Sequence, residues 1–535
     1  MPVTLSRSAF LSVVILVSVS CLHAQQSVSS ELKYETPPEV IVKLVDALPT
    51  PTISLSPAQR LAPRRILAQQ SSSLPTIADL AEPELRLAGL RFSPKLGAPS
   101  RTRYFVSLKL QALPAAGDTA KPSVPITGLP AKLHVLSTEW SPDGQHIALV
   151  NAGTVADRAH PTQHSVGLSL WIVDVAKASA SLVSGVRLNS VLTDPASWLN
   201  NNSLAVLTVP SDRGSVPVRS EIPTGPIVQE NKGRATPAPT YEDLLKTPAD
   251  EQIFEYYATS QIAEVNINGG AAKKMGKPGV FVHLESSPDG KYVFAEELHR
   301  PFSYHQPYDR FPARREVFNI RTGEAKVLDD APLIDSLPID RDAVEPGPRS
   351  FGWRSDKPAT IYWLKAADGG DPKRAATVRD RVYTLDAPFT GEARPIADVA
   401  LRFRSIAWGS DHLAVISEGR WKDRKMILSA LDPATGKLTQ LYEGSMQDRY
   451  EDPGRPMLVN AQGHWVLETT PDQQGIYFSG QGASPKGDAP FVAIMPLNAG
   501  ENPTEKRIWQ SQAPFFEVAS AVIQTGAGAE ILARR

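Results

Sequence analysis

Short apolar runs recur along most of the chain, and a polar turn introduces each of them. Trp140-Ser141-Pro142-Asp143-Gly144 leads into His146 to Val150, Ser286-Ser287-Pro288-Asp289-Gly290 into Tyr292 to Ala295, and Thr469-Thr470-Pro471-Asp472 into Gly475 to Phe478. Looser copies fill the intervals: Ala196-Ser197-Trp198 before Ser203 to Leu207, Phe351-Gly352-Trp353 before Thr360 to Trp363, and Ala407-Trp408-Gly409 before His412 to Ile416. Leu55-Ser56-Pro57 reads as the first copy. A second strand type follows a polar stretch each time, at Leu170 to Val175, Ile262 to Ile267, Glu316 to Ile320, Arg381 to Leu385, Met426 to Leu431 and Phe491 to Met495. Near-continuous apolar runs suit strands covered on both faces, and turn-fed strands at irregular repeats suit the blades of a propeller. The pattern predicts an all-β fold, a β-propeller of seven or eight blades.

The turn chemistry agrees. Proline presets φ, aspartate bonds its own backbone, and glycine takes the positive-φ position, so Ser-Pro-Asp-Gly delivers the chain into a strand. Asn268-Gly269-Gly270, Arg321-Thr322-Gly323 and Ala434-Thr435-Gly436 close the second strands in a hairpin grammar. Helical spacing is confined to Val40, Ile41, Leu44 and Val45, after Pro37 and Pro38, so a short helix is expected ahead of the propeller and no long one after Asp46. Residues 215–239 are poor in large apolar side chains and read as an insertion loop. The Thr240-Tyr241-Glu242-Asp243 that follows resembles a capping box.

The amino terminus changes the picture of location. Arg7, the mostly apolar stretch from Ala9 to Val19, and Leu22-His23-Ala24 before Gln25 predict a signal peptide over 1–24, its apolar run too short to span a bilayer. The expected order is signal peptide 1–24, a flexible segment and short helix over 25–50, and the propeller over 51–535 with an incomplete last blade. The protein is expected to be exported, periplasmic or extracellular. Cys21 is the only cysteine; Ser18-Val19-Ser20 matches a lipoprotein box poorly, and cleavage after Ala24 leaves no thiol. With 56 basic and 57 acidic side chains and a net charge of −1, nothing in the balance points to nucleic acid or a membrane surface.

Several strings together resemble the glutamyl-endopeptidase-like bacterial branch of the prolyl oligopeptidase family. They are Pro37 to Asp46, Ile77 to Leu90, His299-Arg300-Pro301-Phe302-Ser303-Tyr304 with Pro307-Tyr308 and Arg310-Phe311-Pro312, and Asp448 to Gly454. The resemblance implies a serine peptidase whose propeller covers a carboxy-terminal α/β-hydrolase and limits access to peptides. The chain departs from that pattern in its chemistry. It contains no G-x-S-x-G, the turn on which a hydrolase nucleophile sits, and the resemblance implies that a last propeller strand is finishing at Ala529 to Arg535. No catalytic residue and no cofactor is therefore expected in these 535 residues.

One stretch combines charge and aromatic character: Arg300, Arg310, Arg314 and Arg315 among Phe302, Tyr304, Tyr308 and Phe311. Arginine grips a carboxylate through paired N–H donors, so Arg300, Tyr304, Arg310 and Arg314 are the candidate substrate-binding residues for acidic peptides; stacking as structural glue is the competing reading. Gln447 to Asp452 reads as a salt-bridged turn, and Gly480-Gln481-Gly482 as a turn without dinucleotide context. His160 and His164 flank Pro161 and lack a carboxylate or thiolate partner, so no metal site is expected. Trp140, Trp198, Trp353 and Trp408 recur at one point of the repeat and are expected to pack blades together. Two readings follow. The chain is a non-catalytic propeller that gates or binds peptide for a hydrolase domain, its partners being peptide, a separately encoded hydrolase domain or a second copy of itself. Alternatively, it is a stand-alone periplasmic interaction module.

Overall fold

The computed structural model describes residues 36–58, 64–75, 77–114, 118–156, 164–218, 241–525 and 528–535. The predicted signal peptide, most of the predicted insertion, Thr240 and His160 lie outside them. Two compact units divide at Leu48 and Pro49. In the first, Glu39–Val45 is the short helix, with Glu39 and Lys43 paired at 2.7 Å; Val40 and Leu44 are 68% and 69% exposed.

The second unit is a succession of antiparallel meanders. Thr52–Leu55, Arg65–Ser71, Phe105–Ala112, Val135–Trp140, His146–Ala156, His164–Asp174 and Ser179–Leu182 follow one path, whose halves meet through the single pair Phe105 and Val135. Ala196–Asn200, Ser203–Thr208, Ser260–Asn266, Lys273–Ser286, Tyr292–Leu298, Ala313–Asn319 and Ala325–Ala331 form a second path. In it, the 14-residue strand Lys273–Ser286 serves two meanders, pairing through Lys273 to Gly279 on one side and Val280 to Ser286 on the other. Three four-stranded sheets complete the series, running through Arg349–Trp353 to Arg394–Val399, Arg402–Ser410 to Lys437–Ser445, and Arg455–Pro456 to Lys506–Gln510. This is the all-β propeller that the repeats predict. Ala58 donates its N–H to the Asn460 carbonyl (2.7 Å), which ties the first meander to the last part of the chain.

The repeated turn is built the same way each time. Ser141 Oγ donates to Asp143 Oδ1 (2.6 Å) and accepts the N–H of His146 (2.9 Å), while Asp143 Oδ1 also accepts the N–H of Gln145. Ser287 and Asp289 repeat this arrangement, as do Thr470 and Asp472. Gly290, at φ +65°, is required: a Cβ there would stand 1.7 Å from the Leu199 carbonyl oxygen. The tryptophans pack between meanders as expected and also staple them. Trp140 Nε1 donates to Ser54 Oγ (2.9 Å), Trp198 Nε1 to the Glu139 carbonyl (3.1 Å) and Trp353 Nε1 to the Glu285 carbonyl (3.1 Å), whereas Trp408 Nε1 is buried without a partner. The cores lie between sheets. Ala148, Val150, Leu168 and Leu170 of one meander pack on Trp198, Leu204 and Val206 of the next, each fully buried leucine or valine being worth about 1.5–3 kcal/mol.

One expectation fails. Pro248–Ala258 is an 11-residue helix after Asp46, and Ile77–Ala81 a shorter one. A capping box lies at Thr247 and Asp250, where Thr247 Oγ1 accepts the N–H of Asp250 (3.2 Å) and the Asp250 carboxylate accepts that of Thr247 (3.0 Å); Thr240 of the expected box lies outside the described residues. Pro248 opens the helix, and Ile253, Phe254 and Ala258 bury one face of it. Asp243 instead sits at φ +57° and bonds Arg91 (2.5 Å). At the carboxy-terminal end, Val518–Thr525 and Gly528–Arg534 pair only with each other as a two-stranded sheet.

Antiparallel order sends alternate connections to opposite faces. One face carries tight turns such as 141–145, 287–291, 320–324 and 433–436. The other carries the long connections 72–104, 209–259, 299–312 and 367–379, with the inter-meander links 183–195 and 332–348.

Candidate functional site

The basic-aromatic stretch lies on the face of long connections, between Tyr292–Leu298 and Ala313–Asn319. Its phenylalanines turn inward. Phe302 meets Phe254 edge-on (5.4 Å, 86°) and stacks on Phe311 (5.1 Å, 27°), among Leu87, Phe92, Val280 and Leu298. Helix Pro248–Ala258 and the small sheet around Leu90–Ser93 share this core, so sequence-distant insertions form one layer. Arg300 hydrogen bonds to Glu251 and to Glu255 (3.1 Å) and lies over the Phe302 ring; the Tyr304 hydroxyl also bonds Glu251. Arg314 faces Asp330 at 3.6 Å. Arg310 is half-buried and has no hydrogen-bonded side-chain partner or ion pair among the described residues, while its charge, with those of Arg315 and Arg349, acts on Glu345. Glu251 thus joins Arg300 and Tyr304, and Arg310 keeps its donors unclaimed.

Neighbouring arginines are structural. Arg315 is buried and holds Glu296 (3.0 Å), Asp329 (2.7 Å) and the Pro348 carbonyl (3.0 Å). Further round, Arg402 grips Asp380 (3.0 Å), Asp368 (2.6 Å) and the Asp342 carbonyl (2.7 Å), and Arg349 also binds Asp380 (2.6 Å). In the 447–452 loop, Asp448 Oδ1 accepts the N–H of Tyr450, while Arg449 pairs outside the loop with Asp488 (2.8 Å), so the ion pair is not the local one its alternating charges predict.

A second set of polar residues faces the channel along which first strands run in a propeller. Glu139 and Glu285 stand in those strands, and Asp194 just before another; the charges of Asp194 and Glu285 act on Glu139. Glu139 is reached by water yet walled by protein, and its carboxyl is pushed up to about 8 by that enclosure, reinforced by Asp194 and Glu285. Asp194 is raised by burial against the opposing hydrogen bonds of Ser137 and Ala196. Burial first, and Glu285 second, push the Tyr362 hydroxyl up to about 12. Among the described residues no cluster of three or more His, Cys, Asp or Glu is placed to hold a metal ion, and no helix is long and apolar enough to cross a membrane.

No protein-family model matches the chain. Over 517 residues, 94% of its length, it is 34% identical to a protein of Oryza sativa subsp. japonica named probable glutamyl endopeptidase, chloroplastic. A protein of the same name from Arabidopsis thaliana is 33% identical over 504 residues. The chain spans about half the length of these curated relatives, 53% and 51%. Among solved structures it overlaps a prolyl endopeptidase at 12% identity and a TM-score of 0.44, covering 96% of this chain and 58% of that one. It overlaps the β-propeller domain of the Trilobed protease from Pyrococcus furiosus at 10% identity and a TM-score of 0.30, covering 72% of this chain and 98% of that one. The sheets themselves carry the fold.

Against this peptidase background, the channel acids are what sequence reasoning missed. A signal existed: Glu139 and Glu285 each stand two positions before the turn serine, and Glu468 stands two before Thr470. The repeat thus reads Glu-x-(Ser/Thr)-Pro-Asp in its three strictest copies, with the carboxylate on the strand side of the turn.

Proposed function

We propose that this chain is the non-catalytic propeller of an exported glutamyl-endopeptidase-like serine peptidase, which binds or gates peptide for a hydrolase domain. The observation that carries the reading is the 34% identity to a glutamyl endopeptidase across nearly the whole chain, in a sequence without G-x-S-x-G. Arg310, with Arg300, Tyr304 and Arg314 around it in sequence, supplies the cationic surface for an acidic side chain, and Arg310 is the anchor because its donors are not committed to an internal carboxylate. The exposed Val40, Ile41, Leu44 and Val45 supply an apolar contact for the hydrolase domain or for a second copy. Sedimentation that is unchanged, monomeric at high concentration, when all four are made polar would remove that contact.

Export follows the signal peptide reading, and amino-terminal sequencing of secreted protein beginning at Gln25 would establish it. The functional test uses the 535-residue chain with a Glu-containing peptide and a fluorophosphonate probe. The expected result is no cleavage and no labelled serine. Stoichiometric labelling of one serine would overturn the non-catalytic reading.

A further inference from the structure

The strands Leu458–Ala461 and His464–Leu467 form a two-stranded sheet of their own, outside the meander sheets. At its root, Leu467 is buried in the core of the last two meanders, and nearer its tip the hairpin is tied to the first meander through Ala58 and Asn460. Its tip turns at Gln462 and Gly463, both at positive φ, and the Gly463 N–H is held by Asn460 Oδ1 (2.9 Å). Beyond the root, the tip reaches two tight turns that belong to different, non-adjacent meanders. A Cβ on Gly463 would lie 3.2 Å from Pro142 Cα, and His464 Nε2 bonds the Pro288 carbonyl at 2.9 Å. The turn of the intervening meander, near Asn201, sits between them in chain order and bonds Asp143 N–H through its side chain (3.0 Å). A segment that is rooted in the core of the last two meanders, bonds the first and touches the turns of two others spans the mouth of the channel on the tight-turn face.

We propose that the hairpin is a strap that closes this mouth over Glu139 and Glu285, with the His464 to Pro288 hydrogen bond as its latch. Two features support a strap over a fixed plug. Apolar burial anchors only its root, at Leu467, and toward the tip the far side is fastened by one side-chain bond, with Trp465 55% exposed. Glu285, beneath the latch, acts on His464 through its charge. The contact is one a single substitution removes. The strap rests on the peptide-gating reading for its purpose, because it leaves the opposite face as the standing route into the channel.

The test reads the strap without any peptidase. The full chain with Cys21→Ser carries one introduced thiol, either Glu139→Cys beneath the strap or Lys326→Cys, exposed on the outermost strand Ala325–Ala331 of its path. Labelling by a bulky maleimide is timed with and without His464→Ala. The expected result is slow labelling at Glu139→Cys, accelerated about two- to tenfold by His464→Ala, with no change at Lys326→Cys; a net hydrogen bond of ordinary strength sets that range. His464→Gln, which keeps an N–H donor, restores the slow rate and separates latch loss from misfolding. Equal rates with and without the histidine, or equal acceleration at both thiols, would overturn the strap. Neither outcome bears on peptide binding, which fails or stands separately.

Discussion

The two faces of the propeller are assembled by different physics. The tight-turn face is held mainly by repeated, local bonds: a serine or threonine hydroxyl, an aspartate and a few residues of backbone, with indole N–H groups stapling one meander to the next and a buried Arg354–Asp356 pair in one turn. The face of long connections is held by ion clusters whose members are far apart in sequence, such as Arg402 with Asp368 and Asp380. Local bonds can be copied with the repeat and leave little surface to vary. Long-range clusters are individual solutions, and they bring unlike side chains together where a ligand can meet them. Under the proposed function, recognition falls on the second face and uniform scaffolding on the first.

The largest effect should come from the ion clusters. Asp380→Ala strips Arg402, Arg349 and the Phe403 N–H of a shared, fully buried carboxylate and should cost about 3–5 kcal/mol in denaturant unfolding. A loss below about 1 kcal/mol would show that the clusters are not what holds that face. Next, Gly290→Ala forces a Cβ into the Leu199 carbonyl and should cost about 3 kcal/mol or more, while Gly347→Ala, in a long connection with nothing within 4 Å of its Cβ position, should stay within about 0.5 kcal/mol. Similar losses at both would erase the contrast between faces. Smaller still, Trp140→Phe and Trp408→Phe remove similar ring area, but only the first breaks a hydrogen bond, so Trp140→Phe should be worse by about 1 kcal/mol.

The smallest effect is a pH dependence. Glu139 is held up near about 8, whereas an unfolded glutamate ionises near ~4.3. Between those values the folded protein keeps a proton that the unfolded chain has lost, so this group makes stability fall as pH rises through the window. Glu139→Gln should therefore raise the melting temperature at pH 9 and leave it unchanged at pH 4. A rise of equal size at both would point to packing instead.

Most of the tight-turn face was legible in the sequence because its signals are contiguous. Ser141, Pro142, Asp143 and Gly144 state the turn, and the tryptophans state the packing position. Their indole bonds were not legible, since each acceptor lies in another meander. On the other face, the stretch from His299 to Arg315 announced its composition but not its allocation. Nothing local distinguishes Phe302 and Phe311, which fill a core with Phe254, from a surface aromatic. Nor could Arg300 be told from Arg310 before helix Pro248–Ala258 brought Glu251 and Glu255 to the former. That helix itself escaped notice because its cap at Thr247 and Asp250 follows a decoy of the same spacing at Thr240 and Asp243.

The central claim is that the face of long connections recognises acidic peptide. The direct measurement is fluorescence anisotropy of a labelled Glu-containing peptide titrated with the full chain, beside its Lys-containing counterpart and the Arg310→Ala variant. The account predicts saturable binding of the Glu peptide without turnover, weakened about tenfold or more by Arg310→Ala, as the loss of a charged hydrogen bond of roughly 1.5–3 kcal/mol implies. Equal binding of the two peptides, or an unchanged affinity in Arg310→Ala, would contradict it.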